Sequence, residues 1–119
     1  MNKELTELLQ NDMDKYLQTV ARMPHLTEEE QDEVNGKIKA GGTEANLARE
    51  RLVLTNLRFV VSVANLFQNK GLSLAELLKA GNKGLELAAE QYEPSHGCRF
   101  ISYAVLFIGQ SIQNAMKGI

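Results

Sequence analysis

Cysteine, proline and basic charge are all scarce in this sequence. There is one cysteine in 119 residues, Cys98, which excludes an internal disulfide and fits a reducing cytoplasm. Two prolines and no Gly/Ser-rich linker argue against a second domain. No apolar run is long enough to cross a bilayer, and the N-terminal stretch from Met1 to Tyr16 is charged throughout, unlike a signal peptide. The protein is therefore expected to stay clear of the membrane. There is no G-x-x-x-x-G-K-[ST] phosphate loop. His96 and Cys98 sit two apart with His25 far away, too few ligands for a metal site. The carboxylates fall at helix starts and on solvated faces, and no catalytic set stands out, so neither an enzyme nor a cofactor is expected. The net charge of −2 gives no general attraction to nucleic acid, and any such contact must come from a local patch.

What is present reads as helix. Hydrophobic residues make up 44% and charged residues 24%, ordinary values for one domain with a modest core. No strand-like alternation of any length occurs. A first helix is expected over about Asn11 to Met23, with Met13, Tyr16, Leu17 and Val20 as its apolar stripe and Pro24 at its end. Thr27-Glu28-Glu29-Glu30 is a capping box that opens a second helix, reaching about Lys39 before Gly41-Gly42. A long third helix is predicted from Thr43 to about Gln68. Leu47, Leu54 and Val61 recur there at heptad spacing but cannot form one narrow seam, because Glu50 and Arg51 fill the turn after Leu47; the second half is apolar nearly all round, as in a central helix. Gly71 breaks it. Ser73-x-x-Glu76 is a second capping box, opening a helix to about Gln91. A turn-rich loop from Tyr92 to Gly97 precedes a last helix from about Phe100 to the end. The expected architecture is all-α, a single monomeric bundle of about five helices.

Two stretches carry residues that a plain core does not need. In the last helix Phe100, Ala104, Ile108, Ser111, Ile112 and Ala115 form the core face. Tyr103, Leu106, Gln110 and Gln113 form a neighbouring stripe. Tyrosine offers a flat face on which an exposed base can stack, and glutamine can bond an adenine edge bidentately. By spacing alone the stripe fits ordinary helix surface better than a site. The other stretch, Leu74 to Leu87, places Gly81 and Gly84 inside a helix at a cost of about 1 kcal/mol each relative to alanine. Something approaches closely there. Packing against the long helix and docking of a partner are both open.

In this order, these stretches resemble the sigma-70 family of bacterial transcription initiation factors. Tyr16-Leu17 with Leu26-Thr27-Glu28-Glu29-Glu30 resembles region 1.2, and Thr55-Asn56-Leu57-Arg58-Phe59-Val60-Val61-Ser62-Val63-Ala64 resembles region 2.1. Gly71-Leu72-Ser73-Leu74, Glu76-Leu77-Leu78, Gly81-Asn82 and Gly84-Leu85 resemble region 2.2. Gly97, Arg99-Phe100-Ile101-Ser102-Tyr103-Ala104, Ile108 and Gln110-Ser111-Ile112 resemble regions 2.3 and 2.4. On this likeness residues 1–42 are region 1.2-like and residues 43–119 region 2-like, within one domain.

The resemblance implies a cytoplasmic partner, RNA polymerase core, with region 2 docked on the clamp helices of the β′ subunit. Glu76, Leu77, Leu78, Lys79, Ala80 and Asn82 fall on the matching positions. It also implies capture of the non-template strand of the minus-ten promoter element, with an adenine flipped into an aromatic-lined pocket. Phe100, Ser102, Tyr103 and Gln110 would line that pocket, Asn56 would support downstream bases, and Arg99, Leu106, Phe107 and Gln113 complete the DNA-facing set. The sequence departs from the family at three places. Leu106-Phe107-Ile108-Gly109 stands where a tryptophan pair is followed by isoleucine and arginine. Cys98 replaces a common aromatic, and Lys79-Ala80 replaces a Gln-Glu pair. From Pro94 onward the only cations, histidine aside, are Arg99 and Lys117. The alternative is a sigma-like interaction module that binds polymerase or a sigma regulator without opening promoters.

Overall fold

The helix boundaries follow from side chains that serve the first backbone N–H groups, which have no partner within the helix. In the computed structural model, residues 3–97 and 99–118 are described, apart from the His96 side chain. Thr27 Oγ1 accepts from the Glu30 amide at 3.1 Å and Glu30 Oε1 accepts from the Thr27 amide at 3.0 Å. This box starts α3 (Glu28–Ala40). Ser73 and Glu76 exchange the same two bonds, both at 3.1 Å, and start α6 (Leu74–Gln91). In both boxes the backbone bond from the capping residue is the main influence that holds the glutamate carboxyl below its ordinary pKa; Arg51, 2.7 Å from Glu30, adds to the effect there. Asp12 caps α2 (Met13–Ala21) by accepting from the Lys15 amide at 3.2 Å. Gly41 and Gly42, at φ 77° and 78°, turn the chain between α3 and α4 (Gly42–Leu54) with a backbone most side chains disfavour.

Two features differ from the sequence reading. A short helix α1 (Lys3–Asn11) precedes α2 and buries Leu5 and Leu9. The long third helix is divided: α4 ends at Leu54 and α5 covers Leu57–Asn65. At the join Thr55 Oγ1 donates to the Arg51 carbonyl at 2.7 Å and Asn56 Nδ2 to the Leu52 carbonyl at 2.8 Å. Such side-chain bonds back to the preceding turn compete with the helical ladder and bend it. As the sequence reading requires, Leu47, Leu54 and Val61 do not form one core seam: Leu47 is 59% exposed, and Ala48, Leu52 and Val53 supply the buried face of α4.

After α6 a single 3-10 turn (Pro94–His96) leads into α7 (Phe100–Met116). No strand occurs among the described residues. The protein is an all-α bundle of seven α-helices and that turn among the described residues, with α6 at its centre, packed most extensively on α7 and also on α5, α4 and α1. Leu52, Leu57, Val60, Leu77, Leu78, Leu85, Ile108 and Ile112 are fully buried. The glycines of α6 belong to this packing. A Cβ on Gly81 would lie 2.6 Å from Val60 Cγ1 of α5 and 3.3 Å from Ile112 Cδ1 of α7. One on Gly84 would strike the Phe107 carbonyl and sit 2.8 Å from Ser111 Oγ. Packing against the long helix, one of the two openings left by the sequence, accounts for Gly81 in part; Gly84 is packed against α7 instead.

Candidate nucleic-acid interface

Gly97, left-handed at φ 77°, turns the chain out of the 3-10 turn and points α7 back along α6. The 17 residues of α7 contain no charged side chain. Phe100, Ala104, Ile108 and Ile112 are buried and Ser111 is half-buried, as spacing predicts, but Ala115 is exposed. The opposite face exposes Ser102, Gln110, Gln113 and Asn114 together with Ile101, Val105 and Leu106, the last 70% exposed.

Between these faces lies a run of four rings. Phe100 and Tyr92 meet edge-on, with centroids 5.1 Å apart and planes at 73°. Tyr92 and Tyr103 are 5.9 Å apart, and Tyr103 and Phe107 are 5.0 Å apart. Such tilted and edge-on pairs are favourable beyond the area they bury. Tyr103 is half-buried, its hydroxyl 3.4 Å from the Gln91 carbonyl. One side of the ring is thus backed by protein while part remains accessible. Gln110 Nε2 donates to Asn114 Oδ1 at 3.0 Å along the helix surface, an exposed bond that water or a ligand can replace.

The structure sorts the expected DNA-facing residues. Ser102, Leu106, Gln110 and Gln113 are exposed on α7, Arg99 is exposed just before it, and Tyr103 and Phe107 are half-buried beside them. Phe100 is 3% exposed and anchors the ring run from the core side. It contributes to the floor of a cleft of about 500 Å³ whose other wall is α3, with Gln31 and Asp32. Asn56 stands at the α4–α5 join with its amide committed to Leu52. Cys98 lies outside the described residues, as does the His96 side chain.

On the expected polymerase face, Glu76 and Lys79 are exposed and Ala80 is half-buried. Leu77, Leu78 and Asn82, which the resemblance also sets on that face, lie in the core of the bundle, 0%, 0% and 2% exposed. Asn82 Nδ2 donates to the Tyr16 hydroxyl at 2.9 Å, tying α6 to α2. Burial pushes the Tyr16 phenol above its ordinary pKa, and the Asn82 bond partly opposes the rise. Tyr92 was missed among the site residues because it ends a helix beside a turn-rich loop. Its signal was an aromatic at the close of an otherwise polar helix end.

The model of sigma-70 region 2 matches residues 52–118. RNA polymerase sigma-C factor of Myxococcus xanthus is 38% identical over 101 residues, covering 85% of this chain and 33% of that protein. RNA polymerase sigma factor SigA4 of Synechococcus elongatus is 35% identical, over 85% of this chain and 38% of its own length. RNA polymerase sigma factor SigA of Lactococcus lactis subsp. cremoris is 34% identical over 85% of this chain and 28% of its own. With these matches and an all-α bundle built around region 2, the chain belongs to the sigma-70 family. It spans about a third of the length of the curated relatives it matches.

Proposed function

We propose that this chain acts as the core of a sigma factor. It docks on RNA polymerase through the exposed edge of α6, on the β′ clamp helices, and presents α7 to the non-template strand of the minus-ten element. It works by binding and positioning, without a catalytic group or cofactor, and in the cytoplasm. The observation that carries this reading is Tyr103: a ring backed by Tyr92 and Phe107, yet only half-buried, beside exposed Gln110 on the same helix. A base extruded from the duplex can stack there, a contact worth roughly 1–3 kcal/mol. That gain offsets the few kcal/mol needed to unstack it.

Residues 1–42 serve as a region 1.2-like support, joined to region 2 through the Tyr16–Asn82 bond and the Arg51–Glu30 pair at 2.7 Å. Fluorescence anisotropy tests the reading. Single-stranded oligonucleotides carrying a minus-ten sequence should bind better than scrambled strands or the same sequence as duplex. Tyr103→Ala should remove the preference, a loss of about tenfold. Absence of sequence-dependent binding by the unaltered chain, alone or with polymerase, would overturn it.

The absence of charge along α7 and the exposure of Ile101, Val105 and Leu106 favour a second reading, an interaction module that binds polymerase or a sigma regulator without opening promoters. Replacing Leu106 and Phe107 by tryptophan and Gly109 by arginine separates the two. A gain in strand affinity supports the first reading, and loss of a protein partner without such a gain supports the second.

A further inference from the structure

The last carbonyls of a helix have no partner within it and carry partial negative charge. At the end of α6 one of these, that of Ala89, and the carbonyl of the capping residue Tyr92 are met by a side chain from another helix. Arg49 of α4 is half-buried, and its Nη1 donates to the carbonyls of Ala89 and of Tyr92, the latter at 3.1 Å. Tyr92 is where the chain leaves α6, at φ −66° and ψ 127°. The guanidinium therefore fixes the exit of the helix and the backbone that carries the Tyr92 ring.

That segment provides two supports of Tyr103. The Tyr92 ring packs against the Tyr103 ring, and the Gln91 carbonyl lies within reach of its hydroxyl. The third support, Phe107, comes from α7 itself. We infer that Arg49 is a positioning residue for base capture. By clasping the end of α6 it holds Tyr92 and Gln91 where they set the tilt and depth of the Tyr103 ring. This rests on the base-stacking role of Tyr103 proposed above. Arg49 touches no nucleic acid in this scheme, and its guanidinium is engaged with carbonyls 40 and 43 residues away in sequence. A fixed planar donor suits two convergent acceptors better than the rotating point charge of a lysine.

The chain has three tyrosines, and Tyr16 lies in α2, away from the ring run. NMR of the tyrosine ring protons can therefore read the clasp directly. In Arg49→Ala the Tyr92 and Tyr103 resonances should shift and those of Tyr16 should stay. If Arg49→Ala does not fold, Arg49→Lys should show the same pattern at smaller amplitude. Anisotropy with the single-stranded minus-ten oligonucleotide, below the unfolding transition, should show a loss of about fivefold in Arg49→Ala and an intermediate loss in Arg49→Lys. The double variant Arg49→Ala with Tyr103→Ala should bind no more weakly than Tyr103→Ala alone, because both changes remove one stacking contact. Capture by polymerase core should be unchanged in Arg49→Ala.

Unmoved tyrosine resonances would overturn the inference. So would losses that add in the double variant, or full strand binding by Arg49→Ala while Tyr103→Ala has lost it. If the unaltered chain shows no strand preference, the base-capture reading fails and this role falls with it. Ring shifts would then report only a structural clasp.

Discussion

Tyr16 and Asn82, 66 residues apart in sequence, meet through one buried hydrogen bond that joins α2 to α6. Removing the phenol oxygen takes away the acceptor for Asn82 Nδ2 in a closed environment, where an unmet donor costs about 1–3 kcal/mol. Tyr16→Phe should lower the urea midpoint accordingly. The effect has a defined pH dependence. Because the folded phenol has a raised pKa, its contribution is full below the ordinary phenol value and is lost as pH rises through the folded value. The stability gap between the unaltered chain and Tyr16→Phe should therefore narrow above about pH 10. A gap constant across that range would show that the phenol is not shielded in solution. Asn82 also illustrates what sequence can carry: its place in a sigma-like pattern was visible, but not that it points inward, which depends on α2 covering that side of α6.

Helix ends were legible where local chemistry writes them. Thr27 with Glu30 and Ser73 with Glu76 cap in space as their spacing requires. The end of α4 was not legible, because the apolar pattern continues through Thr55 and Asn56 and neither residue is a breaker until its side chain bonds back to Arg51 or Leu52. Helix α1 was missed for the opposite reason. It is short and richly polar, and its two buried leucines gain their meaning only from the partners they cover. Glycines within helices separate in the same way. Gly36, in α3, has open space around it, so Gly36→Ala should stabilise the protein by about 1 kcal/mol in thermal or urea unfolding. Gly84→Ala has no room against the Phe107 backbone and should destabilise it by about 1–3 kcal/mol as α6 and α7 are forced apart. Equal effects at the two positions would contradict the close crossing.

For the molecule as a whole, the family pattern conveyed the bundle and the two helices given roles in the proposed function, but not which of their residues reach solvent. Leu77 and Leu78 share a stretch with Glu76 and Lys79, and only the packing of neighbouring helices separates core from surface. Arg49 gave no signal at all, since an arginine within a helix reads as surface until the end of α6 is seen beneath it. The exposed part of the proposed polymerase face is small and contains Lys79 and Ala80, where the resemblance leads one to expect a Gln-Glu pair. Lys79→Gln with Ala80→Glu should strengthen capture of a β′ clamp-helix fragment in pull-down, through better charge complementarity with a basic partner. Unchanged or weakened capture would place docking elsewhere. The uncharged surface of α7 also sets how binding responds to its medium. Affinity built on lysine and arginine draws on the release of condensed counterions, and its logarithm falls with that of salt concentration, by about 0.7 of a unit of slope for each phosphate neutralised on a single strand. A strand held by Tyr103 and Gln110, on a helix with no charged side chain of its own, would release few ions. Its salt slope should be close to that of about one phosphate contact, so a tenfold rise in salt would loosen the isolated protein's hold on its strand only about fivefold.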